Sequence, residues 1–383
     1  MKRPKMLVIS LVAATALTLT GCSGGLLGGG SSDEDGPIKF GMLAPLTGSE
    51  AAVGPFMKNG AQMAVDEINE AGGVLGRQIE LDVQDEACDP VAAVAAANKV
   101  VSNGAVVSVG GYCSGATLPT LPVFEKANIP MLIPAANSED LVNEGLKNVF
   151  MVNATGSQQA DAAAKYIEKV GAKNVAIIDD TTSYSTDIAK ATAELLKEKG
   201  VEVQSSSVTP GESDYSSAVN KALSITPDFI YWTGYFQEGG LILNQVRQAG
   251  YTNPYMVGDG SVSPTLIEIA GADVAEGALA TMTQTPDTIK GAEDWIANYT
   301  EQFGSEPGPY STQSYDAVRI AAHAIEEAGS TDGDKIIEAL EAIDGFEIFS
   351  GPLKFTDRHT LSVGGFQILV VENGAFVLKD NLQ

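Results

Sequence analysis

From Ile38 onward, short apolar runs alternate with longer segments whose apolar residues recur at helical spacing. Ile38–Leu46 reads as a buried strand. Gly54–Ala71, with Met57, Ala61, Ala64, Val65 and Ile68 on one face, reads as an amphipathic helix. Strand Gln78–Gln84, helix Pro90–Val101, strand Ala105–Val109, a short helix over Thr117–Ala127 and strand Pro130–Pro134 complete a first series. After Val149–Asn153 the pattern restarts, with helices Ala160–Val170, Thr186–Lys199, Tyr215–Leu223 and Gly240–Ala249 and strands Asn174–Asp179, Val201–Val208, Asp228–Thr233 and Pro254–Val257. Such alternation predicts α/β architecture with helices on both faces of parallel sheets, and two series predict two doubly wound lobes. After Ala280 the pattern turns helical (Ala292–Phe303, Thr312–Glu327, Asp334–Ala342). It ends in a predicted hairpin, Phe366–Val371 and Ala375–Leu378, around Asn373-Gly374. These closing pieces are too few for a third domain. They are expected to complete the two lobes, so the chain must cross between them more than once.

The N-terminus differs from everything after it. Lys2, Arg3 and Lys5 precede an apolar run from Met6 to Leu19, followed by Leu19-Thr20-Gly21-Cys22. A basic start, a short apolar stretch and small residues at a cleavage point read as an export signal. The run is too short to span a bilayer, which takes about 20 apolar residues. Cys22 after small residues looks like a bacterial lipobox, which implies a signal over 1–21, cleavage before Cys22 and lipid on its thiol; Thr20 is less usual at its position. Residues 22–36, rich in Gly and Ser with three acids, read as a flexible tether. An ordinary signal peptide with an incidental cysteine is the alternative.

Two further features narrow the function. The formal charge is −26, from 23 Lys+Arg against 49 Asp+Glu. Such a surface repels phosphate backbones and excludes nucleic acid as a natural partner. The acidity is read as solubility outside the cell rather than as an acidic site. With Cys22 assigned to lipid, the remaining pair, Cys88 and Cys113, reads as a disulfide in an oxidising compartment, a free buried pair being the alternative.

Catalytic and cofactor chemistry is poorly represented. The two histidines, His323 and His359, have no Cys, Asp or Glu at metal-ligand spacing. Val107-Ser108-Val109-Gly110-Gly111 lacks the glycine spacing of a dinucleotide loop, and no phosphate-binding Gly-Lys-Ser/Thr lies near it. No cofactor and no enzymatic activity are expected. Ligand-binding groups are better placed, because doubly wound sheets bind ligands beyond the carboxyl ends of their strands. There stand Gly111-Tyr112-Cys113-Ser114-Gly115-Ala116-Thr117 opening a helix, and Pro134-Ala135-Ala136-Asn137-Ser138. In the second series come Tyr184, Tyr235 and Asp259. Hydroxyls and helix N–H groups suit one carboxylate, and Asp259 with carbonyls suits an ammonium, which together describe an amino-acid clamp. Trp232, inside a strand, is expected in the core.

Specific segments carry a resemblance. Ala64-Val65-Asp66-Glu67-Ile68-Asn69 with Gly72-Gly73, Ala87-Cys88-Asp89-Pro90 with Ala97-Asn98-Lys99-Val100-Val101, Cys113-Ser114, Ile133-Pro134-Ala135-Ala136 and Gly351-Pro352-Leu353 are similar to the branched-chain amino acid (leucine/isoleucine/valine) binding proteins of ABC importers. The likeness runs from about Ile38 to the C-terminus. It implies the type I periplasmic binding protein fold, with 37–154 and 284–356 forming one lobe, 155–283 and 357–383 the other, and a ligand cleft between them. It also implies that Ser114, the Ala135 backbone and Asn137 hold the ligand carboxylate and ammonium, that Tyr184 and Tyr235 close from the second lobe, and that a Cys88–Cys113 disulfide braces the first. Three departures concern the ligand side chain rather than the clamp: Asn137 stands in place of Thr, Asp259 in place of the longer Glu, and Val53 where an aromatic wall is frequent. The expected protein is a monomeric, lipid-anchored carrier that takes a small amino acid, branched-chain or similarly neutral, to an ABC permease and ATPase. A ligand-sensing module, or a carrier of small amides, urea or aromatic acids, are the alternatives.

Overall fold

The computed structural model describes residues 36–382; the expected export signal, the expected lipid site Cys22 and the expected tether up to residue 35 lie outside the described residues. Five parallel strands form the first sheet: β1 (Ile38–Ala44), β2 (Ile79–Asp85), β3 (Val107–Ser108), β4 (Met131–Ile133) and β5 (Val149–Met151), in the order β2-β1-β3-β4-β5. The second sheet begins with β6 (Asn174–Asp179), β7 (Glu202–Ser207), β8 (Phe229–Trp232), β9 (Tyr255–Val257) and β10 (Leu279–Thr283). A small hairpin follows, β11 (Asp344–Ile348) with β12 (Gly351–Lys354). The chain then returns to the second sheet with β13 (Phe366–Glu372) and β14 (Ala375–Asp380), giving the order β14-β13-β10-β9-β8-β6-β7.

Side-chain character explains each strand's place. β8 is buried at all four positions and pairs in parallel with β6 and β9, the signature of a central strand covered on both faces. β7, Glu-Val-Gln-Ser-Ser-Ser, is largely polar and lies at an edge, where its outward row meets water. Helix starts follow from local chemistry as well. Asp89 caps the helix Pro90–Ser102 by accepting from the Val91 and Ala92 amides at 2.9 and 2.8 Å, with Pro90 at the first turn, where no amide hydrogen is required.

The strand-helix alternation and the closing hairpin appear as the sequence predicts. Asn373 and Gly374 both take positive φ, 54° and 80°, as the tight hairpin turn demands. Two strand pairings are not foreseen. β10 is a buried strand between β9, parallel, and β13, antiparallel. β11–β12 is a second hairpin. The helix expected from Thr117 starts instead at Ser114 and runs through a tighter turn to Lys126.

The chain passes between the sheets three times: after β5, after β10, and before β13. Between the last two passages the helix Ser311–Ala328 lies along Gly54–Glu70 of the first lobe. Gly60 permits this approach, since a Cβ there would stand 2.1 Å from the Ser311 carbonyl oxygen. Before the chain returns to β13, His359 lies against β5: its carbonyl accepts from the Met151 amide at 2.8 Å, and its ring stacks on Phe150. Among the described residues, no helix is long and apolar enough to cross a membrane.

Candidate functional site between the lobes

The carboxyl ends of both sheets face each other, and Asp259 is the hub between them. It follows β9, is 2% exposed, and holds three side-chain donors. Tyr184, at the start of the helix Ser183–Glu198, donates its hydroxyl to Oδ1 at 2.7 Å. Tyr310, ahead of the helix Ser311–Ala328, donates to Oδ2 at 2.8 Å, and the Asn137 amide, after β4, donates to the same oxygen at 3.3 Å. Burial pushes the Asp259 carboxyl up from its ordinary value, and the Tyr184 and Tyr310 hydroxyls counter that rise. The same burial raises the Tyr184 and Tyr310 phenols, so they stay protonated and able to donate. The network continues through Gln159, which accepts from Asn137 at 2.9 Å and donates to Thr281 at 2.9 Å. Gly260 lets the ring pair in: a Cβ there would meet the Tyr184 and Tyr235 rings at 3.0 Å.

One acceptor in this network is unused. Asn137 Oδ1 is buried without a partner, while its amide nitrogen is engaged twice. An orphaned buried acceptor costs about 1–3 kcal/mol, so a donor supplied by a ligand is the natural complement. A carboxylate can accept about four hydrogen bonds, and Asp259 Oδ1 accepts from a single side chain, Tyr184.

Beside the hub lies a cavity of about 350 Å³, bounded by Tyr235, the Cys88–Cys113 disulfide and the loops after β1, β6 and β8. The two half-cystines have Cα atoms 5.4 Å apart and tie the loop after β2 to the loop after β3. Further hydrogen bonds hold the lobes together around it: Gln237 donates to the Ser49 carbonyl at 2.9 Å, and the Ser138 hydroxyl donates to Asp187.

Asn137, Tyr184 and Asp259 thus come together directly. Tyr235 packs its ring 5.0 Å from that of Tyr184 and lines the cavity. Ser114 is fully buried and accepts from the Ser138 amide at 3.2 Å, and Ala135 accepts from Asn153 through its carbonyl at 2.8 Å. The helical turn Ser114–Thr117 is four residues long, and its Ala116 and Thr117 amides both donate to Cys113. Trp232 is fully buried and donates to the Tyr235 carbonyl at 2.9 Å, a core role that fixes the Tyr235 loop.

Sequence reasoning missed Tyr112, Tyr310, Glu50, Glu86, Asp180 and Glu238. Tyr112, next to Cys113, packs 6.0 Å from Tyr235 and 5.6 Å from Tyr310. Tyr310 ends Pro307-Gly308-Pro309-Tyr310 with φ at 62°, a conformation rare for a bulky residue. Glu50 lies six residues past β1 and Glu238 in the first turn of the helix Phe236–Gln248, whereas Glu86 and Asp180 stand directly beyond strand ends, a readable signal. The view that acidity is only a surface property obscured it.

Two facing α/β lobes closed on a buried, largely pre-formed polar cluster define a clamp for a small solute. Comparison with known proteins identifies the clamp. Residues 37–375 match the model of the periplasmic binding protein family, and the chain belongs to that family. It is 36% identical to the Leu/Ile/Val-binding protein BraC3 of Rhizobium johnstonii, over 90% of this chain and 94% of that one. It is 33% identical to the leucine-, isoleucine-, valine-, threonine- and alanine-binding protein of Pseudomonas aeruginosa, over 86% and 89%. The structure superposes on the leucine-binding protein LivK of Thermotoga maritima with a TM-score of 0.84 at 30% identity, covering 89% of this chain and 97% of that one. The family consists of solute-binding components of transporters, and the chain is not an enzyme.

Proposed function

We propose that this protein captures an amino acid outside the cytoplasm and delivers it to an ABC importer. The observation that carries this reading is the Asp259 hub. A buried carboxylate shared by both lobes, beside the orphaned Asn137 acceptor, suits a ligand ammonium, with Ser114 and the Ala135 backbone on the carboxylate side. The names of its relatives support an amino acid, and those of BraC3 and LivK a branched-chain one. Lobes built from 37–154 with 284–356 and from 155–283 with 357–383 are supported by β1–β5 sharing one sheet, by the helix Ser311–Ala328 lying along Gly54–Glu70, and by β13 and β14 joining the sheet of β6–β10. Cys22 anchors the chain to the membrane by lipid, on the strength of the basic start, apolar run and small residues before it. The protein acts as a monomer.

A thermal-shift screen of the twenty amino acids tests the reading, because a ligand at 100 times its dissociation constant adds about 2.7 kcal/mol to stability. At least one amino acid is expected to raise the melting temperature. A flat response to all twenty overturns the assignment.

A further inference from the structure

The cavity beside Tyr235 is walled by carboxyls. Glu50 reaches it from the loop after β1, Asp180 from the loop after β6, and Glu238 from the first turn of the helix Phe236–Gln248. Glu86, directly after β2, adds its field behind Glu50. All four are buried, at 2%, 1%, 8% and 1% exposure for Glu50, Asp180, Glu238 and Glu86. The Thr182 amide and hydroxyl hold Asp180 Oδ1, and the Gly211 amide holds Glu238 Oε1. Glu50 Oε2, Asp180 Oδ2 and Glu86 Oε1 have no partner at all. No Lys, Arg or His lines the cavity, and none of the ion pairs among the described residues reaches these acids.

Carboxyl groups from opposite lobes have been brought together without a basic partner. Burial, then the Glu238 charge, push the Glu50 carboxyl up to about 8; burial and the Asp85 charge do the same to Glu86. A bare metal ion is a poor complement. Among the described residues, no three carboxylates bring their oxygens within 4.8 Å of one another, and the one such cluster, Glu86 with Cys88 and Cys113, has both sulfurs in a disulfide. The acids surround a volume rather than a point. That volume, about 350 Å³, suits a small organic molecule.

We propose that this cavity receives the positively charged end of an amino-acid side chain, an ammonium or a guanidinium, so that the protein carries a cationic amino acid rather than a branched-chain one. The inference rests on the amino-acid reading of the Asp259 hub and assigns its side-chain class. The cation supplies the missing donors to Glu50 and Asp180, and Tyr235 adds an aromatic ring. Protons held by Glu50 and Glu86 in the empty closed form leave to the buffer as the cation enters.

Titration calorimetry of the full chain at pH 7 with L-lysine, L-arginine, L-leucine and 1,5-diaminopentane tests this. L-lysine or L-arginine is expected to bind at least about 100-fold more tightly than L-leucine, as charge-assisted hydrogen bonds replace unmet ones. Its apparent enthalpy is expected to vary with the buffer's ionisation enthalpy, which reports proton release. Glu50→Gln with Glu238→Gln is expected to reduce the preference to less than about tenfold. Proton release by the wild type serves as the readout if that variant does not fold. L-leucine binding as tightly as either cation, or no binding of either, overturns the proposal; the first result leaves the amino-acid reading intact. 1,5-diaminopentane equal to L-lysine upholds the cationic cavity and overturns the amino-acid reading.

Discussion

Asp259, just past β9, and Glu50, in the loop after β1, are both buried acids in the same cleft, yet their surroundings are opposite. Asp259 receives two phenolic hydroxyls and an amide, so its charge is distributed over fixed donors. Glu50 faces Glu238, Asp180 and Glu86, with one oxygen unpartnered, and its carboxyl is pushed up to about 8. Burial alone therefore says little about an acid's role; what matters is whether the protein itself satisfies it. A satisfied acid holds a geometry, while an unsatisfied cluster is a demand addressed to a ligand.

The largest expected effect concerns the disulfide that borders the acid-lined cavity. Cys88→Ser with Cys113→Ser removes a link spanning 25 residues, and chemical denaturation should show a loss of about 3.5 kcal/mol. Loss of stability with unchanged ligand preference would make the bond a brace only. Next, Asp259→Asn keeps the shape and removes the charge, so affinity for a zwitterionic amino acid should fall about thirtyfold, roughly 2 kcal/mol, by calorimetry. Unchanged affinity would take Asp259 out of the ammonium site. Tyr310→Phe leaves Asp259 Oδ2 short of a donor and should lower stability by about 1.5 kcal/mol. A neutral result would mean that water replaces the hydroxyl.

The smallest effect is the pH response at Glu50. Its carboxyl is raised on folding from 4.5 to about 8, so the folded state binds the proton more tightly than the unfolded one. The associated stability is fully present below about pH 4.5 and is lost as pH rises towards about 8. Glu50→Gln should therefore reduce the fall in thermal stability across that window, with Glu86 keeping its share. It should stabilise the ligand-free protein at pH 8.5 by on the order of 1 kcal/mol, the cleft being free to open and relieve the rest. The matching change at Asp259 should lower stability, since Asn137, Tyr184 and Tyr310 are all arranged as donors to a carboxylate.

Much of the architecture was legible because it follows from local rules. β8 is an unbroken apolar run, Asp89-Pro90 announces a helix, and Asn373-Gly374 announces a hairpin. β10 was not legible. Leu279-Ala280-Thr281-Met282-Thr283 mixes apolar residues with Thr, and its buried threonines make sense only with Gln159, Tyr231 and Gln313 at hand to bond them. The site divided the same way. Asn137, Tyr184, Tyr235 and Asp259 could be named as candidates because each lies shortly beyond a recognisable strand. Tyr310 could not, since it reaches Asp259 from a segment 51 residues later, belonging to the other lobe.

The sequence by itself determined the alternating elements, the two-sheet α/β class, the strand ends at which polar groups would collect, and the kinship with periplasmic binding proteins. Each of these depends on periodicity, turn chemistry or residue order, which are properties of neighbours along the chain. Only the tertiary structure decided which acids have donors and which do not. A carboxyl's solvation is set by groups that fold against it from distant segments: Asp259 gains its hydroxyls from Tyr184 and Tyr310, and Glu50 meets Glu238 across the closed cleft.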